Sequence, residues 1–412
     1  MLVIYYKGEL KMFSIPEFLD KDDYLQNPIM RRFLKDRGLD FVENRADYIK
    51  AIAEYANSNQ ENEMDTKQWL LQVAREGSKE FCYKKIHSVG NMHKDPALVE
   101  TIIKKEFPNC PMQDILTYRN TNDRNLIDYK IIIDETEEVE KITFTFSKFM
   151  LTGENGQVGD ITIFPVFVEV YLNEGFVISR AKAKATVYHY VESKMLSSDN
   201  HVNTMDYAAS AIDRIINVLG FEVEDDKKKV KNENSKMLYN LYQEFSFTPE
   251  DVEKKVNSMA GLSKAYIDKL FLDLGLSVTN KPKALLDISI FVEKFVSING
   301  NNENIFKEDR DAYLIKVSAD DELELTKIDT TSDKAVPLQC TDAFFDSKKS
   351  VLKGKKCNKL NLIFKRTNEL YLKSKPLVVQ FSTNKTYGVF KTTQYAEEAD
   401  INNVLQTIFR NY

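Results

Sequence analysis

The sequence predicts an α+β fold in four parts: an α-rich N-terminal region, a central antiparallel sheet with a covering helix, a helical connector, and a C-terminal antiparallel sheet with a closing helix. Three observations carry that expectation. Apolar residues recur at helical spacing early in the chain, alternation with a period of two begins at Tyr129, and alternation returns after residue 300. The corresponding units are 1–125, 126–222, 223–300 and 301–412. With 412 residues and 43% hydrophobic content, each unit can build a packed core.

Residues 1–14 alternate about Lys7-Gly8 and are expected to form a hairpin. Ile29, Met30, Phe33 and Leu34 mark a helix that stops at Gly38, and Tyr48, Ile49, Ile52 and Tyr55 mark a second. Asp65 or Thr66 is the expected cap of a third, which turns Trp69, Leu70 and Val73 inward and ends at Gly77. The order Arg37-Gly38-Leu39, extended link, Arg45, Tyr48-Ile49-Lys50 resembles the helix-extended-helix of SAP-type DNA-binding modules over a small part of the chain. That resemblance implies a DNA-contacting helix pair, from which Asp40, Glu43 and Asp47 depart, and a plain helical hairpin is the simpler reading.

Strands are expected at 130–133, 141–150, 160–172 and 175–191, joined by acidic or glycine-containing turns into a meander. A helix at 204–219 then lines Met205, Ala208, Ile212, Ile215, Ile216 and Leu219 along one side to cover a sheet face. Acids and lysines without apolar period make 222–236 the expected linker. Thr248-Pro249 with Glu250 and Asp251 specifies a helix start; further helices begin at Ser263, burying Tyr266, Leu270 and Phe271, and at Pro282. Strands follow at 312–317, 322–328, 359–366, 369–373, 377–381 and 386–390. Ile401, Val404, Leu405 and Ile408 then define the closing helix.

Charge is segregated. Residues 347–376 hold ten basic residues against Glu369 alone, a net +9 in a chain whose formal charge is -6, so the rest of the molecule is acidic. A loop at 346–358 is expected to gather Lys348, Lys349, Lys353, Lys355 and Lys356, leading into a strand that carries Lys359, Lys365 and Arg366. Clustered lysines suit phosphate, because each one neutralised releases counterions. In the strand at 175–191, alternation places Arg180, Lys182, Lys184, Tyr188 and Tyr190 on one face, a basic and aromatic row fit for backbone contact and base stacking. A solvated lysine loop and a strand paired with acids such as Glu169 are the plain structural alternatives.

Enzymatic constellations are incomplete. A restriction-type nuclease could draw acids from Asp160 and Glu169, but Tyr171 stands where the lysine is required. The acidic run from Asp134 to Glu140 follows a strand as a turn would, and Gly153, Gly156 and Gly159 lead into a strand rather than a phosphate-binding helix. Cys82 and His87 make no nucleophile and base pattern, and the four cysteines and four histidines lack metal-site spacing. No cofactor, no metal site, no secretory signal and no membrane span are expected, and a reducing cytoplasm is the expected location.

The expected function is therefore a cytoplasmic, non-catalytic nucleic-acid-binding or polyanion-binding protein, with the asparagine- and lysine-rich usage pointing to a bacterial mobile-element or phage-defence component. A protein-interaction subunit of a larger complex is the alternative, and a metal-dependent nuclease with a non-standard site the third reading.

Overall fold

The computed structural model describes residues 12–21, 24–90, 92, 95–118, 123–300, 303–320, 327–332, 335–366 and 376–412. Its N-terminal helices are Glu17–Lys21 (α1), Asn27–Asp36 (α2), Arg45–Ser58 (α3) and Gln60–Arg75 (α4). Asn44 and Asn59 cap α3 and α4, each accepting a backbone N–H three residues on. α4 thus begins earlier than the expected Asp65 or Thr66, because Asn59 supplies the cap. Asp65 instead takes the Arg37 guanidinium from the end of α2, at 2.5 and 2.7 Å.

The next element is a strand where the sequence suggested none, Lys79–Lys85 (β1). After α5 (Pro96–Glu106) come β2 (Asn125–Ile133), β3 (Val139–Ser147), β4 (Phe149–Thr152), β5 (Asp160–Ile163), β6 (Val166–Tyr171), β7 (Phe176–Lys182) and β8 (Val187–His189), then α6 (Thr204–Leu219). The connector holds α7 (Lys227–Phe245), α8 (Glu250–Ser258), α9 (Ala260–Asp273) and α10 (Lys281–Asn299). The C-terminal unit holds β9 (Ala312–Asp320), β10 (Lys327–Thr331), α11 (Asp342–Gly354), β11 (Lys359–Phe364), β12 (Leu377–Thr383), β13 (Gly388–Thr392) and α12 (Glu398–Asn411).

The architecture is α+β, and the central and C-terminal strands form one antiparallel sheet rather than two. Among the described residues its ten strands run β10-β9-β11-β12-β13-β1-β7-β6-β3-β2, with a separate three-stranded sheet β5-β4-β8. β1 is the join, pairing with β13 on one side and β7 on the other. It is buried on both faces: Phe81 and Tyr83 enter a core with α7 and α12, while Cys82 enters one with α5 and α6. The N-terminal helices pack their own core against Ile127, Phe167 and Tyr395.

Four expectations change here. The strand expected over 175–191 ends at Lys182, and Val187–His189 belongs to the small sheet. The expected linker at 222–236 contains the start of α7, capped by Asp226, whose side chain accepts the N–H groups of Lys228 and Lys229. The expected loop at 346–358 is mostly helix, begun at the Thr341 cap and closed by a left-handed Lys355. Tyr266 is exposed rather than buried, because α9 turns Ile267 and Phe271 inward. Residues 1–11 of the expected hairpin, 322–326 of one strand, and the strand at 369–373 with Lys373 and Lys375 lie outside the described residues. Among the described residues no helix is long and apolar enough to cross a membrane.

Candidate functional site

The central row of sequence-predicted contacts does not form a surface. Arg180 points from β7 into the interior, where its guanidinium donates to Glu169 at 2.6 Å and to both oxygens of Glu398 at 2.6 and 2.8 Å. Burial favours its neutral form, but Glu169 and Glu398 outweigh that and raise its pKa further. Lys182 is half-buried with its ammonium 5.0 Å from the Tyr24 ring centroid. Lys184 lines a cavity of about 880 Å³ with Lys21, Asp160 and Thr162. Tyr188 is buried against Leu151 and Leu196, and Tyr190 packs on the same small cluster. Alternation put Arg180 and Lys182 on one face, as expected, but that face is covered by other elements.

The +9 segment is divided three ways. Lys348 reaches from α11 to Glu293 on α10, 2.6 and 2.7 Å from its two oxygens, and Lys349 pairs with Asp287 one and a half turns earlier on α10. Arg366, past the end of β11, donates to Asp400 at 2.9 Å and to the Tyr395 carbonyl at 2.6 Å, fixing the start of α12. Lys365 is exposed beside it, a strand length of about 20 Å from Lys359.

Lys353, Lys355 and Lys356 are exposed where α11 turns into β11, whereas Lys359 is exposed on the opposite face of β11 from α7, lining a cleft with Glu80, Gln380 and Lys391. Lys355 makes that turn in the left-handed region, φ 50° and ψ 31°, with its N–H on the Val351 carbonyl. The corner is seated on α7: the Lys356 ammonium meets Asn232 Oδ1 at 3.1 Å, and the Cys357 N–H donates to the Ser235 carbonyl at 3.0 Å. On α7, Lys228, Lys229 and Lys236 lie one turn either side of Asn232 and are exposed. Glu224 takes the Lys229 ammonium at 3.2 Å.

Two lysine stretches more than 100 residues apart in sequence thus become one basic corner. The α7 lysines were missed because acids and lysines obscured the apolar positions Val230, Met237, Leu238 and Leu241; that spacing, with Asp226 as cap, would have marked the helix. This corner and the Lys182–Lys184 stretch leave the sheet at opposite ends. β7 and β11 run in the same direction, and Lys182 closes one while Lys359 opens the other.

The acids proposed for a nuclease are also separated in role. Asp160 is exposed on β5, whereas Glu169 is buried and holds Arg180, Lys141 at 2.8 Å and Arg75. Burial pushes its carboxyl up, but these three cations hold it well below the usual carboxylate range. Arg37 and Arg45 of the helical pair are likewise engaged, by Asp65 and Asp20. Asp134 Oδ1 accepts the N–H groups of Thr136 and Glu138, closing its own turn. Burial raises the Cys82 thiol far above its ordinary value, which disfavours the thiolate. Among the described residues no group of three His, Cys, Asp or Glu side chains is placed to hold a metal ion.

Comparison with known proteins finds no matching family, no matching curated protein and no matching solved structure.

Proposed function

We propose that this chain is a non-catalytic nucleic-acid-binding protein that grips phosphates with the basic corner formed by α7 and the turn after α11. The observation that carries the reading is the Lys356–Asn232 contact. It places Lys228 and Lys236 beside Lys355 and Lys356 on an otherwise acidic molecule. A lysine cluster of this kind binds polyanions without reading sequence, with affinity that falls steeply as salt rises. Lys348, Lys349, Arg366 and Arg180 are left out of the contact set, since each is engaged by carboxylates of the protein itself.

The test is fluorescence anisotropy with labelled single-stranded DNA, duplex DNA and RNA across a salt series. Wild type binds at about 50 mM salt, and Lys228→Glu/Lys355→Glu/Lys356→Glu lowers the slope of log K against log salt by about 2–3, close to one per lost phosphate contact. Lys348→Gln leaves the slope unchanged. Undetectable binding of every probe at low salt, or a slope indifferent to the triple change, would overturn the reading.

A further inference from the structure

α10 packs Ile290 and Ile298 on the core yet leaves two aromatic rings open on another side. Its buried polar residues are Glu293, held by Lys348 of α11 and by Thr248, and Ser297, whereas Phe291 and Phe295 are 59% and 49% exposed. The two rings lie 4.8 Å apart on the open side. Ala284 and Ile288, half-buried, continue the same stripe toward the helix start. The four are spaced 4, 3 and 4 residues apart, the spacing by which one helix meshes with another.

The stripe lies in the molecule's apolar surface. Among the described residues, more than half of the exposed large apolar side chains fall between Phe247 and Phe295, about an eighth of the chain. Nine of them, from Leu262 to Phe295, lie on α9, the link that follows it and α10, and exposed apolar side chains gathered in this way mark an interaction surface.

From this we infer that α10 is the seam of a homodimer, in which two copies pack α10 against α10 antiparallel about a two-fold axis between Ile288 and Phe291. The argument for a second copy is self-complementarity. Antiparallel pairing sets Ala284 against Phe295 of the second copy and Ile288 against Phe291, so each layer combines a smaller side chain with a ring. Parallel pairing would oppose ring to ring in two layers and leave a gap at alanine. Charge does not oppose the contact, because Asp287 and Lys294 turn aside to Lys349 and to Asp342 and Asp346 of α11. The interface is isologous, so it closes on itself and stops at two copies.

Analytical ultracentrifugation of the full chain from about 1 to 100 µM tests this, with far-UV circular dichroism melts confirming that each variant folds. Wild type is expected at twice the monomer mass. Ile288→Glu and Phe291→Lys singly bury a charge against an apolar layer and weaken dimerisation about 100-fold. The double change sets each new carboxylate against the second copy's new ammonium and recovers at least about tenfold of that loss. The outer pair, Ala284→Lys and Phe295→Glu, repeats the same logic if an inner variant fails to fold. A monomer at 100 µM, a dimer indifferent to the single changes, or no recovery in the double would overturn the inference.

Discussion

Arg180 and Glu169 form a buried ion pair, Nη2 to Oε2 at 2.6 Å, across the adjacent strands β7 and β6. Each side chain is 1% exposed. Glu169 also answers Arg75 and Lys141, and Arg180 also answers Glu398, so the pair ties the N-terminal helices and the start of α12 to the middle of the sheet.

Removing one member of such a group leaves its partners uncompensated in a poor solvent for charge. Glu169→Gln keeps the shape but strands Arg75 and Lys141, and is expected to lower stability by about 3–5 kcal/mol in urea unfolding. Acid dependence gives the sign independently. The folded Glu169 carboxyl lies below its unfolded value of about 4.3, so its contribution is complete above that value and is lost as pH falls toward the folded one. Glu398 is lowered too, against its burial, chiefly by Arg180, and acts in the same direction. Wild type is therefore expected to lose stability below about pH 4 more steeply than Glu169→Gln; parallel curves would refute it.

Lys79 presents the opposite case, a buried cation beside other cations. It is 1% exposed, its ammonium 2.6 Å from the Ala74 carbonyl and 4.3 Å from the Tyr24 ring centroid. Lys182 is its direct cross-strand neighbour. Burial first, then the charges of Lys182, Arg180 and Arg75, lower its pKa well below the ordinary lysine value, with only Glu76 opposing. The folded state thus sheds a proton that the unfolded state keeps up to about pH 10.4, so stability rises with pH inside that window. Relative to Lys79→Met, wild type should gain up to about 1.4 kcal/mol per pH unit as pH rises toward about 10.4. A difference that does not move with pH would show that Lys79 holds its proton throughout.

Where a helix has a cap and an uninterrupted apolar stripe, as α6 and α12 do, the sequence alone was enough to place it. β1 had neither signal. Its run Lys-Glu-Phe-Cys-Tyr-Lys-Lys is buried on both faces at its centre, so it does not alternate, and the strand that unites the two halves passed for loop between helices. Arg180 shows a different limit. Period two placed it with Lys182 on one face correctly, but no period tells whether a face is open or covered, and one covering carboxylate, Glu398, lies 218 residues further on. The basic corner was half legible for the same reason: Lys353, Lys355 and Lys356 stand out by density, while the α7 lysines that join them are brought there only by the packing of Ser235 and Asn232.

The join between the halves can itself be tested at Gly388, the cross-strand partner of Tyr83. A Cβ there would lie 2.0 Å from Tyr83 Cζ and 2.4 Å from its hydroxyl oxygen, so the glycine exists to let the ring cross β13. Backbone entropy alone would make Gly388→Ala stabilising by about 0.4–1 kcal/mol. Overpacking acts the other way and is larger, because Tyr83 is 1% exposed and hemmed in by Phe176, Phe390 and Tyr412, leaving the ring nowhere to move. Gly388→Ala is expected to cost about 1–3 kcal/mol net and to open β1 and β13 amides to hydrogen exchange before the rest of the sheet. Tyr83→Leu destabilises by itself through the cavity it leaves, yet it removes the clash, so the double variant should be more stable than the two single effects added together. Strict additivity would mean that the ring and the glycine do not meet, and that the two halves of the sheet are held together elsewhere.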